Sequence, residues 1–291
     1  MKCDLHTHST FSDGTRTPAA IVDECVKIGL SAIALTDHNT VKGLYEFKNG
    51  AEGKNIECVS GVEISTDYKD KDVHIVGLFI NEERYHDVEV FLEKANERKR
   101  ESTKKLINAL SKDGYKIDYD EICQNHAGQI NRAVVASELM KKGYIPDIKS
   151  AFKTLLSENG GYYTPPKRIA SEEAIEFLAS IRAVSVLAHP YLTFSVSEAD
   201  EFLRMAVSHG LMAMETRYST YSEEISKIAS ETAKQYGLLE SGGSDDHGTT
   251  SRIFIWAQVW AILMCLTNFL KNCVRARNDD RSEDAVWTMK R

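Results

Sequence analysis

Residues 4–14 read DLHTHSTFSDG, and the two histidines in that stretch set the problem. Cys3 to His6 opens a strand, and in an extended chain positions i and i+2 face the same way. The His6 and His8 imidazoles can therefore point at one ion, with Asp13 in the loop that follows. A lone HxH pair is weak evidence, so its meaning depends on what the rest of the chain brings to the same place.

Outward from it, apolar runs alternate with amphipathic stretches. Thr17 and Pro18 have the form of a helix N-cap and first position, with the helix running to about Ile28 and Gly29 ending it. SAIALT (31–36) is a strand, 40–48 suits a short helix, and 56–65 and 72–80 are further strands. The rhythm returns near Ser171, with helices at 171–180, 198–208 and 222–236 followed by strands at 183–190, 211–216 and 237–241. This alternation predicts an α/β fold, a mainly parallel sheet or a barrel of about seven strands. Residues 83–165 break the pattern with long charged segments such as VEVFLEKANERKRESTKKLINAL (88–110). They read as a helical insertion, and its Arg98, Arg100, Arg132 and Lys141 read mostly as a solvated face. The expected organisation is a barrel from 1–82 and 166–250, an insertion at 83–165, and an atypical tail at 251–291.

Composition bounds the function. A formal charge of −7 argues against a protein that coats duplex nucleic acid. The six cysteines form no CxxC pair and read as the reduced thiols of a cytoplasmic chain. MKCDLHTHST carries no apolar run of a secretion signal.

The chemistry lies at the strand ends. TDH closes the second strand with His38, GVEIS sets Glu63 in the third, and DVHIVG sets His74 in the fourth. AHP ends the fifth with His189, and GSDDHG supplies Asp245 and His247 after the last. Each residue has an ordinary explanation by itself, as a satisfied core histidine or a paired carboxylate. Together they differ, because parallel β/α folds gather the C-terminal ends of their strands on one face. Imidazoles and carboxylates at nearly every such end form a ligand set for zinc, iron or manganese.

The motifs DLHTHSTFSDG, ALTDHNT, GVEIS, HIVG, LAHP and SGGSDDHG resemble, in order and spacing, the PHP (polymerase and histidinol phosphatase) phosphoesterases over residues 1–250. NRAVVASELMKKGYI and GGYYTPPKR in the insertion are similar to the bacterial subgroup of nucleotide phosphatases and a 5′–3′ exoribonuclease. The resemblance implies a distorted seven-stranded β/α barrel holding two or three divalent ions (manganese, zinc, iron or magnesium). It assigns His6, His8, Glu63 and Asp245 to a first metal. Glu63 bridges to a second, held also by His74 and His189, and Asp13, His38 and His247 hold a third. Asp4 would orient an imidazole. His86, His126 and His209 match no ligand position. Arg132, Lys167, Arg168 and Arg217 are the substrate-binding candidates. The implied reaction is hydrolysis of phosphomonoesters of nucleotides (AMP, nucleoside 3′,5′-bisphosphates) or of short oligonucleotides by a metal-activated water, with no side-chain nucleophile. The alternatives are a histidinol-phosphate-type phosphatase and an inactive metal-binding relic.

The tail breaks from all this. SRIFIWAQVWAILMCLTNFL (251–270) approaches a membrane span in length, but Gln258, Thr267 and Asn268 interrupt it, and no membrane association is expected. Trp256 and Trp260, at i, i+4, would also suit a buried or partner-binding helix. A third reading explains more. Residues 251–266 can be back-translated so that one added adenine turns the text into KPDIYLGTGMGNLNVP, similar to the family's usual continuation. On that reading the tail is frameshifted, the segment that closes the barrel is replaced, and Asp245 and His247 are poorly held.

Overall fold

The computed structural model describes residues 3–126, 128 and 130–248; the tail at 251–291 lies outside the described residues. The first strand, β1 (Cys3–Asp4), leads to α1 (Pro18–Lys27), where the Thr17 hydroxyl accepts the Ala20 N–H and Ile21, Val22 and Cys25 are buried. Parallel to β1 runs β2 (Ala32–Leu35), buried at every position as expected of a strand covered on both faces. The next helix, α2 (Leu44–Gly50), starts later than the sequence pattern implies. Glu89 explains the delay: it takes the Thr40 hydroxyl (2.9 Å) and the Val41 N–H (2.7 Å), holding that segment out of a helix.

β3 (Glu57–Tyr68) pairs parallel to β2, but β4 (Lys71–Leu78) returns antiparallel as a hairpin. Lys69 and Asp70 form its two-residue turn, both in the left-handed region (φ 52° and 62°) that matches strand twist. The sheet is therefore parallel with one reversed strand, and that reversal matters for the site. His74 lies near the start of β4, and only because β4 runs backwards does its start share a face with the C-terminal ends of the other strands.

The segment between β4 and the returning barrel chain holds α3 (Tyr85–Lys112), α4 (Tyr119–Asn125), α5 (Arg132–Lys141) and α6 (Ile148–Lys153). Asp118, Asn131 and Asp147 cap the last three. α3 serves two cores. Val88 and Leu92 belong to the barrel's outer core, whereas Leu106, Ile107 and Leu110 join Ile122, Val135 and Leu139 in a separate one. A two-residue strand, β5 (Ile169–Ala170), pairs with Thr66 and Asp67 of β3 and brings the chain back. Then follow α7 (Ser171–Ser180), β6 (Val184–Leu187), α8 (Pro190–Thr193), α9 (Val196–Ser208), β7 (Ala213–Tyr218), α10 (Glu223–Gln235) and β8 (Leu239–Gly243).

The barrel order is β1-β2-β3-β4-β6-β7-β8. Its seam is made by Leu5 N–H to Gly242 O (3.2 Å), Asp245 N–H to His6 O (2.9 Å) and His8 N–H to Asp246 O (2.9 Å). Among the described residues the barrel is thus nearly closed before residue 249, and the expectation that the tail region completes it lies outside them. Inside sit small and medium side chains, Cys3, Leu5, Ala32, Ala34, Val76 and Val186 among them. The alternate residues Ile33 and Leu35 pack outward under the helices.

Candidate metal centre

Each of the nine candidate residues sits on the same mouth of the barrel. His6 and His8 continue β1 in extended chain, with Thr7 between them bridging to Asp246. The following loop is organised by Asp37, whose carboxylate accepts from Ser9 N–H (2.7 Å), Ser9 Oγ (2.6 Å) and Ser12 Oγ (2.6 Å), setting Asp13 in place. His38 bridges to Glu63, and Glu63 points inward because Val62 and Ile64 take the outer core. His189 and Asp245 both occupy left-handed backbone (φ 29° and 55°), which turns their side chains into the mouth.

Glu63, fully buried, is the hub. Its Oε2 lies 3.2 Å from His6 Nε2, 3.2 Å from His8 Nε2 and 3.0 Å from His38 Nδ1. Its Oε1 lies 2.8 Å from His74 Nδ1 and 3.2 Å from His189 Nε2. Asp245 Oδ1 is 3.4 Å from His6 Nε2 and 2.9 Å from His8 Nε2. Asp13 Oδ1 is 3.3 Å from His247 Nε2 and 4.0 Å from His38 Nε2.

Three groups of donors, each within 4.8 Å of one another, emerge: His6, His8, Glu63 and Asp245; His8, Asp13, His38 and His247; and His38, Glu63 and His74. The first equals the expected set. The second adds His8 to the expected trio. In the third, His38 takes the place expected for His189, although His189 faces the same Glu63 oxygen as His74.

The donors fit a cation. His6 Nε2, His8 Nε2, Asp13 Oδ1, His38 Nδ1, Glu63 Oε2 and Asp245 Oδ1 are buried polar atoms without a hydrogen bond, although they crowd together. Ligands about 2.0–2.2 Å from one ion stand roughly 3 Å apart, close to the observed separations. Burial alone would raise the Glu63 carboxyl, but His38, His74 and His6 outweigh it and hold it well below the usual range. Burial lowers His74 and His247, yet Glu63 and Asp72 push the former up to about 10, and Asp13 and Asp245 do the same to the latter. Burial dominates at His38, which is lowered.

Supporting contacts fix these side chains. Glu215 accepts from His6 Nδ1 (2.9 Å) and from the His189 N–H (2.6 Å). That is the orienting role expected of Asp4, whose Oδ1 instead accepts the backbone N–H groups of His6 (3.2 Å) and Ser244 (3.0 Å). Asp4 shapes the seam, and Glu215 turns the imidazole. Tyr218 donates to Asp245 Oδ2 (2.8 Å).

A cavity of about 220 Å³ runs from Asp13, His38 and His74 to the insertion. Arg132, Lys167 and Arg168 line it; Arg217 does not. The Arg132 guanidinium lies over the Tyr163 ring at 4.2 Å. Arg168 is engaged by Asp72 (2.9 Å), which in turn sits 3.5 Å from His74 Nε2. Lys99 was not singled out by the sequence reading, yet it lines the cavity while its neighbour Arg100 pairs with Glu93 and Glu97 outside. The available signal was spacing: Asn96, Lys99 and Thr103 form one polar stripe on α3. Burial lowers the Lys99 ammonium, with Asp13 and Asp72 opposing. Among the described residues neither Lys99 nor Arg132 pairs with a carboxylate, so two cations face the space beside the donor cluster. His86 and His209 stand apart from the donor groups, as expected; His126 lies against Ser12 O (3.0 Å).

The PHP domain model matches residues 4–184. A 5′-3′ exoribonuclease of Haemophilus influenzae is 30% identical over 251 residues, covering 84% of this chain and 90% of that protein. A 3′,5′-nucleoside bisphosphate phosphatase of Chromobacterium violaceum is 27% identical over 249 residues, covering 84% and 86%. A solved structure described as an amidohydrolase from the same organism, with bound sulfate, superposes with a TM-score of 0.79 at 26% identity over 85% of this chain and 88% of that one. With a barrel mouth that gathers imidazoles and carboxylates around Glu63, the chain belongs to the PHP domain family and is a metal-dependent phosphoesterase.

Proposed function

We propose that this hydrolase removes a terminal phosphate, or a terminal nucleotide, from nucleotides and short oligonucleotides. Three donor groups sharing His8, His38 and Glu63, beside a cavity lined by Lys99 and Arg132, which pair with no carboxylate among the described residues, are the observation that carries this reading. His6, His8, Glu63 and Asp245 would hold one divalent ion. Glu63, His74 and His189 would hold a second with His38 close by, and Asp13, His38 and His247 a third with His8 close by. When bound, the ions supply a nucleophilic water at neutral pH and neutralise phosphoryl oxygens.

The chain's own residues do the rest. Lys99 and Arg132 hold a phosphate of the substrate, and the Tyr163 ring, 4.2 Å from the guanidinium carbon, backs the Arg132 side chain. Arg168 offsets Asp72, so the cavity wall next to His74 does not repel an anion. No cysteine lines the cavity among the described residues. The relatives' names, an exoribonuclease and a bisphosphate phosphatase, support a nucleotide substrate carrying more than one phosphate.

The test is phosphate or mononucleotide release from AMP, a nucleoside 3′,5′-bisphosphate and a short 5′-phosphorylated RNA. Metal content is measured on the same samples, with manganese, zinc and iron supplied in turn. Release that stops with a chelator and returns with metal is expected. No release from any of the three in the metal-loaded protein would overturn the substrate class.

A further inference from the structure

Asp13 is held from outside the barrel. Its Oδ1 faces His247 and His38, while its Oδ2 accepts a hydrogen bond from Asn131 Nδ2 (2.9 Å). Asn131 is the N-cap of α5, and its Oδ1 accepts the Val134 N–H (3.0 Å). Both ends of one amide are thus committed, which fixes its orientation, and the side chain is buried. The flanking chain reinforces the contact. His126 Nε2 meets Ser12 O (3.0 Å), and a Cβ on Gly128 would stand 2.4 Å from that same oxygen, so the segment presses directly on the Asp13 loop. The next residue, Arg132, lines the cavity.

We propose that Asn131 is a positioning residue that couples the insertion to the third metal position. It holds the Asp13 carboxylate so that Oδ1 alone is offered to the ion. Because Arg132 is its neighbour on the same helix turn, a phosphate gripped by the insertion tightens the metal position that Asp13 serves. The inference rests on Asp13 being a ligand there.

Asn131→Ser and Asn131→Asp separate the two jobs of the side chain. Both keep a capping oxygen for α5, and neither keeps the amide N–H that reaches Asp13: aspartate offers only acceptors, and the serine hydroxyl ends one bond short of that nitrogen. The readouts are metal content by mass spectrometry after dialysis against graded metal buffers, the metal concentration for half-maximal activity, and the thermal midpoint. Both variants should fold, keep the tighter ions, and need roughly 10- to 100-fold more free metal to fill the last position, with activity returning at high metal. Unchanged metal titration in both variants overturns the proposal. So does lost activity that metal fails to restore. Asp13→Asn is the control for the underlying reading. If it too leaves the metal content intact, Asp13 is no ligand and the reading beneath the inference falls. If it empties the position while the Asn131 variants do not, the coupling alone is wrong.

Discussion

Glu215→Gln should damage this centre although it alters almost no volume. Glu215 is buried and has two obligations: one oxygen accepts from His6 Nδ1 at 2.9 Å, the other from the His189 N–H at 2.6 Å. A carboxylate accepts at both ends; an amide accepts at one and donates at the other. If the amide oxygen stays on His6, the NH₂ group confronts the His189 N–H, and a buried donor left unsatisfied costs about 1–3 kcal/mol. For a chain of this size that lowers the melting midpoint by roughly 2–4 °C per kcal/mol. It also loosens His189, whose left-handed backbone (φ 29°) needs that bond. If the amide flips, NH₂ faces His6 Nδ1 and drives the imidazole proton to Nε2. That nitrogen is the one aimed at Glu63 Oε2 (3.2 Å) and Asp245 Oδ1 (3.4 Å), and it can no longer serve as a ligand. Losing such an orienting partner costs roughly 10- to 100-fold in metal affinity, about 1.4–2.8 kcal/mol. Calorimetric metal titration and a thermal melt of the same variant decide the matter. A variant with wild-type metal affinity and wild-type melting would refute the claim that Glu215 fixes the His6 tautomer.

Metal affinity should rise with pH across about 6 to 9, with proton release on binding. Neighbouring carboxylates push His74 and His247 up to about 10, so without an ion both hold protons at neutrality that a cation must displace; titrations in buffers of different ionisation enthalpy would show it, and pH-independent affinity would count against it. Lys99→Met and Arg132→Ala should each lower kcat/KM by about 10- to 100-fold while leaving metal content intact. Arg132→Lys should recover little, since the guanidinium stacks on Tyr163 at 4.2 Å; full activity in these variants would remove them from the substrate site. Gly243→Ala should destabilise the barrel, because a Cβ there would lie 2.3 Å from His6 Cβ across the seam. The cost is about 1–3 kcal/mol by overpacking, read as a lower melting midpoint.

The donor residues were legible because most lie within short motifs at strand ends, where local sequence and spatial position coincide; Glu63 sits inside β3 and Asp13 in the loop after β1. The sharing of donors between groups was not legible, since it depends on loop curvature: His8 also reaches the Asp13 group and His38 also reaches Glu63 through turns that no periodicity encodes. The reversal of β4 was equally hidden. Its turn uses Lys69 and Asp70 in left-handed backbone without glycine or asparagine, so the usual hairpin signal is missing, although the reversal is what carries His74 to the mouth. Glu215 is a single acid in the apolar run LMAMET and looks like an ordinary strand residue until His6 is seen beside it. Lys99 is one of many charges on α3, and only the packing of that helix decides which of them turns inward.

The same geometry bears on the frameshift reading of residues 251–291, which lie outside the described residues. That reading carried the expectation of loosely held Asp245 and His247. Among the described residues, bonds from earlier in the chain hold them. Asp245 is tied by its N–H to His6 O (2.9 Å) and by its Oδ2 to Tyr218 (2.8 Å), and His247 O accepts from Thr15 N–H (2.9 Å). Arg16 pairs with Asp246 between them. Every one of these partners precedes residue 220, so the donor loop is fastened by β7 and the chain after β1. An altered ending would therefore leave these contacts in place. The gene sequence around codon 250 tests the frameshift itself. Codons that regroup to KPDIYLGTG with one added adenine would mark the tail as an accident of reading frame, and codons that do not would make it a true part of this phosphoesterase. Restoring the adenine should then leave the metal content of the barrel mouth unchanged. A gain of ions on restoration would show that the ending, and not β7 and the first loop, sets the donor geometry.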